Sequence, residues 1–410
     1  MKTYAGVVCA LWMGLGMGAA AQSVNAQEDG KKETTQQGPA KQEMAKPDAV
    51  KQGGIIDESC DKASHGPLRL IQSIPLPNVE GYFDHMAADV KGQRLFVPGE
   101  LQRSIEVIDL KTGNVLHSIV GFGGDPRKIL YFPETNEIWV DDGDATVKSF
   151  DATSYELKKN IPLATHELAD DSRRIPDNGA YDPATHLFYL GSRSDSKPNA
   201  GPHGSIEIVD LKAGTYVGTI ELPAKNPAGL ALDAKTNRLY VVMGDSSQTV
   251  VVDLQKRAVI NTWLITGGPE PHAVAVDSAH RRLLIGSRVK RSHTYRPGKL
   301  VIMDADSGNV LNTIDTEAGV DELFYDIPTR RVYYNGSGGY VEVFKQIDAD
   351  HYQSLGRAAT GAIAKTALLV PELHRFYAAV PKHLIITPPV PQAKEVSIED
   401  AKIMVFEVMK

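Results

Sequence analysis

Residues 231–241 read ALDAKTNRLYV, and residues 249–263 read TVVVDLQKRAVINTW. The first stretch is a short apolar run, an Asp, a polar turn, and then aromatic and β-branched residues. The second is a β-branched run, a turn at Asp253, and a further extended run. Such residues suit pleated, packed strands, and the Asp-led polar segments suit the turns between them. Helical 3.6-residue periodicity is nearly absent. Read together, the two stretches describe four short antiparallel strands in a row.

The same unit recurs along the chain. Its first half reappears as AADVKGQRLFV, LYFPETNEIWV, AYDPATHLFYL, AVDSAHRRLLI, FYDIPTRRVYY and LLVPELHRFYA. The second half reappears in forms such as SIEVIDLKTGNVLHSI and SIEIVDLKAGTYVGTI. Taking Asp89, Phe132, Tyr181, Asp233, Asp277, Asp326 and Val370 as the residues before the turn gives successive spacings of 43 to 52 residues. Seven β-rich copies at that period predict an all-β fold, a single seven-bladed β-propeller of four-stranded antiparallel blades. The seventh copy ends after IMVFEV (403–408) without an outer strand. The run LRLIQSI (68–74) has the form of an outer strand and lacks the strands that would precede it. Pairing the two closes the ring and removes two exposed strand edges.

Motifs such as NRLYVV, TVVVDL and TGNVLHSI resemble those of the YVTN-repeat, YncE-like β-propellers, and the resemblance covers roughly residues 68–408. It implies the fold and an exported protein. It says little about activity, because the repeating residues are structural; relatives of this architecture include lactonases, dehydrogenase subunits and many binding proteins.

The rest of the chain bounds the reading. Residues 1–26 read as a signal peptide: Lys2, the apolar run Val7 to Ala21, then Val24-Asn25-Ala26 before the cut, with Ala21 as an alternative site. The apolar run is shorter than a spanning helix needs, so no transmembrane segment is expected after cleavage. Residues 27–64 are polar and poor in large apolar groups, a composition expected of a disordered tether. The propeller then occupies residues 65–410. Losing a leader that carries only Lys2 moves the formal charge from -7 to -8. That balance argues against general nucleic-acid coating. Cleavage leaves Cys60 alone, so no intramolecular disulfide can form, and there is no CxxCH for haem. A monomer, periplasmic or secreted, is the expectation.

A site is sought where the scaffold is elaborated. Loops between blades and loops joining the second and third strands emerge on one face. That face carries long insertions at 162–179, 191–204 and 286–298; the last two both begin Gly-Ser-Arg and both contain a His. Counting back five residues from each turn gives a channel ring of Asp84, Arg127, Pro176, Ala228, His272, Asp321 and Lys365. One residue on gives His85, Lys128, Asp177, Gly229, Ala273, Glu322 and Thr366. Alternation allows one of each pair to face the channel.

Three functions follow. The first is a binding scaffold for an anionic small molecule or a protein partner. Its ligand-binding residues would be Arg127, Arg193, His203, His272, Arg288, Arg291, His293 and Arg296, because guanidinium forks suit carboxylate and phosphate. The second is a lactonase-like, metal-assisted hydrolase with Asp84, Asp177, His272 and Asp321 holding Ca²⁺ or Zn²⁺ and His85 or His272 as the catalytic base. Arg127 and Lys365 in the same ring oppose a cation there, and no cofactor is otherwise expected. The third is an accessory subunit of a periplasmic redox system, for which no ligand pair is present. GxSxG, P-loop and HExxH motifs are absent. Asp141-Asp142-Gly143-Asp144 resembles half of a Ca²⁺ loop, lacks the distal Glu, and is read as a tight turn.

Overall fold

In the blade quoted first, the second and third strands, Arg238–Met243 and Gln248–Asp253, are buried on both faces. Alternation explains how. Leu239, Val241, Met243, Val250 and Val252 pack with Ile206 and Ile208 of the preceding blade. Tyr240, Val242 and Val251 pack with Leu283 and Ile285 of the following one. A strand sandwiched between two neighbours reads as a continuous apolar run, as these do. The outer strand, Ala258–Leu264, is half exposed.

The computed structural model describes residues 66–164, 174–194, 203–288, 297–317, 319–386 and 396–410. Leader 1–26 and tether 27–64, with Cys60, lie outside the described residues. So do Arg291, His293 and Arg296. Among the described residues no helix is long and apolar enough to cross a membrane.

Seven four-stranded antiparallel sheets follow one another around the ring. Six are continuous in sequence, over 87–119, 126–162, 174–221, 227–264, 271–316 and 322–359. The seventh joins Thr366–Val370, Arg375–Val380 and Lys402–Val408, and its fourth strand is Leu68–Pro75. That closing strand runs antiparallel to Lys402–Val408, with Leu68 opposite Val408 and Ile74 opposite Ile403. Leu68 enters the core shared with blade six, and Ile74 enters the core shared with blade one. One strand therefore seals both seams of the last blade.

The turns are built as the sequence suggests. In blade four Thr236 Oγ1 donates to Asp233 Oδ2 at 2.7 Å, and Asn237 takes the left-handed conformation (φ 54°) just before the second strand. The same geometry corrects one alignment. Asp182, not Tyr181, holds the turn position in blade three: it pairs with Leu187 as Asp233 pairs with Arg238, and its carboxylate accepts Thr185 Oγ1 at 2.7 Å. Tyr181 is one residue early, so the inner ring in that blade holds Asp177 rather than Pro176.

The innermost strands also share a device. Pro126, Pro227 and Pro271 open three of them, Pro176 is the third residue of a fourth, and each is followed by a register shift. Proline has no N–H for the ladder, and the irregularity re-aims the next residue. That residue is Arg127, Asp177, Ala228 or His272.

Blade seven holds one feature that the repeat pattern does not signal. His383–Ile386 and Val396–Glu399 form an extra two-stranded ladder between its second and third strands. It springs from the same face as the insertions in blades three and five.

Candidate functional site

Backbone hydrogen bonds confirm that one face collects both loop types. Glu100 N donates to Tyr82 O at 3.0 Å, Gly143 N to Asp125 O at 3.0 Å, Gly244 N to Asn226 O at 2.9 Å and Arg288 N to Glu270 O at 3.1 Å. In each case a loop after a second strand is tied to a loop between blades. The channel opens here into a cavity of about 230 Å³.

The cavity wall is the first of the two rings, with Asp177 in place of Pro176: Asp84, Arg127, Asp177, Ala228, His272, Asp321 and Lys365. Opposite charges alternate around it. Arg127 Nη1 donates to Asp84 Oδ2 at 3.2 Å and to Asp177 Oδ1 at 2.6 Å. Lys365 Nζ donates to Asp321, whose other oxygen lies 2.5 Å from His272 Nε2. The second ring lies a layer deeper. There His85 Nδ1 bonds Glu322, its Nε2 lies 3.3 Å from Asp84 Oδ1, and Lys128 and Asn178 line a further space of about 210 Å³.

Burial and pairing set the proton affinities in opposite directions. Burial works against the charge on Asp321, yet Lys365 and His272 prevail and hold its carboxyl well below the ordinary range. Asp177 is likewise lowered, by Arg127 and Arg193 against burial. Asp84 is raised, chiefly by burial. His272 is held below the usual imidazole value by burial, partly offset by Asp321. His85 goes the other way: burial and Lys128 oppose its charge, but Asp84 and Glu322 outweigh them. The two candidate bases therefore differ. His85 is gripped between carboxylates in the second layer, and His272 lines the cavity wall beside Asp321.

A third tier stands above the ring, at the ends of the second strands. Arg193 and Arg288 occupy it in blades three and five, and Glu100 in blade one. The repeated Gly-Ser-Arg explains the placement. A Cβ on Gly191 would meet Leu230 at 2.9 Å, and one on Gly286 would meet Val320 at 3.0 Å, so each blade can press on the next only with glycine there. Ser192 and Ser287 are buried, and Ser287 Oγ donates to Pro269 O. The arginine that follows leans over the channel. Arg193 Nη1 lies 3.6 Å from Asp177, and Arg288 Nη1 lies 3.6 Å from Asp321. Glu100 is pushed up to about 7 by burial and by Asp84. Sequence reading missed Glu100; the signal was its position after Pro98-Gly99, the register of the two arginines. His203 is exposed and does not line the cavity among the described residues.

Two motifs resolve into structure. Asp141 to Asp144 forms the turn between Glu137–Asp142 and Thr146–Asp151, and its cation is internal: Lys148 Nζ donates to Asp142 Oδ2 at 2.6 Å and to Asp144 Oδ2 at 2.8 Å. Gly123 N and Gly124 N complete Asp142 at 3.0 and 2.8 Å. The proposed metal ligands Asp84, Asp177, His272 and Asp321 do share one cavity. However, Arg127 sits between the first two and Lys365 on the last. Among the described residues no group of three or more His, Cys, Asp or Glu has the arrangement to hold a metal ion.

Asp141 yields a test of this electrostatic picture. It is fully buried, accepts Lys128 N at 2.7 Å through one oxygen, and has no partner for the other. Burial and Asp84 push it up to about 8. A carboxyl raised in the folded state stabilises below its unfolded value and loses that contribution as pH rises through the folded value. Between pH 6 and 8 the loss is about 2–3 kcal/mol. Asp141→Asn is expected to flatten the pH profile of urea unfolding and to be more stable than the native chain at pH 9. Identical profiles for the two would refute the assignment.

With this geometry in hand, the chain can be set beside known proteins. No family model matches it. It is 26% identical over 214 residues to the "Uncharacterized protein YncE" of Salmonella typhimurium, covering 51% of this chain and 55% of that protein. To the protein of the same name in Escherichia coli O157:H7 it is 22% identical over 183 residues, 44% of this chain and 48% of the other. The chain thus spans about half the length of the curated relatives it matches. A chain of "Kuenenia stuttgartiensis Hydrazine Synthase" superposes with a TM-score of 0.58 at 13% identity, covering 79% of this chain and 97% of that one. A chain of "Crystal Structure of Mitotic Checkpoint Complex" gives 0.62 at 14%, covering 83% and 95%. Likenesses at such identity speak for the fold alone.

Proposed function

We propose that this chain, a YncE-like seven-bladed propeller, is an exported scaffold whose channel mouth binds a small anionic ligand. The observation that carries the reading is the pair Arg193 and Arg288. They stand at one register in blades three and five, with side chains 35% and 23% exposed, over a cavity of about 230 Å³. Each stands 3.6 Å from its ring aspartate and lines the cavity, where a guanidinium fork suits a ligand carboxylate or phosphate. The ring below is internally paired, so the upper tier sets the sign. Protonation of Glu100 below about 7 makes that tier more positive. The leader read at residues 1–26 supports export.

Calorimetric titration with citrate tests this. Binding is expected to weaken with salt and to tighten as pH falls through about 7. The Arg193→Ala/Arg288→Ala double variant should lose it by about tenfold or more, without a change in melting temperature. Unchanged affinity in that variant removes the mouth as the site. The hydrolase alternative requires a cation where Arg127 and Lys365 already neutralise the carboxylates. The binding reading is therefore preferred; stoichiometric Ca²⁺ or Zn²⁺ in purified protein, lost in Asp321→Ala, would reverse that preference.

A further inference from the structure

A second cavity lies on the opposite face, beside a blade that lacks an arginine found in four others. In four blades the first residue of the second strand is an arginine that crosses to the following blade. Arg94 donates to Ala152 O, Arg238 to Asp306 at 3.2 Å, Arg282 to Asp350 at 2.6 Å and Arg331 to Met409 O. Every acceptor follows the third strand of that next blade, so the arginine bridges the groove between the two. Blade two has Glu137 at this position. Its carboxylate turns back within its own blade, accepting Trp139 Nε1 at 3.0 Å and pairing with Lys158 at 2.5 Å. The groove toward blade three stays open as a cavity of about 600 Å³.

The cavity has the lining of a ligand site rather than of a packing gap. Buried Trp139 and Leu211 line it together with Phe132 and Tyr181, whose rings meet edge to face with centroids 4.8 Å apart. Lys159 Nζ lies 5.4 Å from the Trp139 ring centroid, and Lys212 stands exposed at the rim. Neither lysine has a carboxylate partner among the described residues, whereas Glu137 is neutralised by Lys158. Glu134, exposed on the same rim, is outnumbered by the two lysines. Aromatic walls favour a flat π-system, and the volume is that of a small-molecule pocket.

We propose that this groove binds a small planar aromatic molecule carrying one anionic group, with the ring beside Trp139, Phe132 and Tyr181 and the anion at Lys159 and Lys212. The site is separate from the channel mouth and does not depend on the function proposed for it.

The test uses 2-naphthoate and its uncharged analogue 2-naphthamide, followed by calorimetry and by tryptophan emission. One saturable site is expected, with naphthoate tighter than naphthamide by about tenfold. Lys159→Ala/Lys212→Ala should erase that preference. Glu137→Arg restores the crossing arginine and should block both compounds while leaving the melting temperature equal or higher. Arg193→Ala/Arg288→Ala should leave binding as it was. The proposal is overturned if naphthoate does not bind, if a folded Glu137→Arg protein binds it unchanged, or if the mouth arginines prove to carry the binding.

Discussion

Deleting residues 66–75 is expected to unfold the ring rather than trim it. The segment supplies the whole fourth strand of blade seven, paired along Lys402–Val408 from Leu68 to Pro75. Its loss exposes that ladder and opens the cores that hold Leu68 and Ile74. Truncating either side chain alone to alanine should cost about 2–4 kcal/mol, and removing the strand costs both together with its hydrogen bonds. A domain of ordinary stability, about 5–15 kcal/mol, does not survive that comfortably. Circular dichroism melts of the deleted protein should show no cooperative transition, or one lowered by tens of degrees. A peptide of residues 66–76 added in trans should recover part of it. A melt within a few degrees of the full chain would mean that six blades and a fragment are stable unclosed.

Arg127→Ala is expected to be the most damaging single substitution at the mouth. The guanidinium is buried and joins Asp84 to Asp177, with Asp125 at 3.6 Å. Removing it strands two acids in a poorly solvated channel. Breaking a buried pair from one side costs about 3–5 kcal/mol, even where the intact pair adds little net stability. Urea unfolding at pH 7 reads the loss directly. Asp84→Asn/Asp177→Asn in the same background should return much of it, because the neutral amides no longer need the cation. A loss below about 1 kcal/mol would show that solvent reaches these groups. Arg127 thus maintains the polar ring, its Nη1 held by both Asp84 and Asp177, and the proposed ligand contact is assigned to the arginines above it.

Much of this architecture was legible in the repeat. The run NRLYVV contains both packing faces, because Leu239 and Tyr240 point to opposite neighbours. Closure was legible because an orphan strand and an unfinished blade stood at opposite ends. The ring was legible to within one residue. It slipped only where Tyr181 was taken for Asp182, two adjacent residues that both fit an apolar-then-turn pattern. What stayed hidden depends on partners far apart in sequence. Nothing in Asp141 announces a carboxyl raised to about 8, since that follows from burial beside Asp84. Glu137 looks like any turn-flanking acid until the arginines at the same register in other blades are seen to cross. The hairpin of blade seven, rich in proline before Val396, lacks the alternation that marks the other strands.

These parts describe one object: a closed ring around a paired, buried polar layer, with two arginines above it at the proposed ligand site. The most direct test is a crystal soaked with citrate at near-physiological salt. The account predicts density for the anion at the channel mouth, in contact with both Arg193 and Arg288, with Arg127 still bound to Asp84 and Asp177. Citrate absent from the mouth, or bound there only after Arg127 or Lys365 has left its carboxylates, would contradict it.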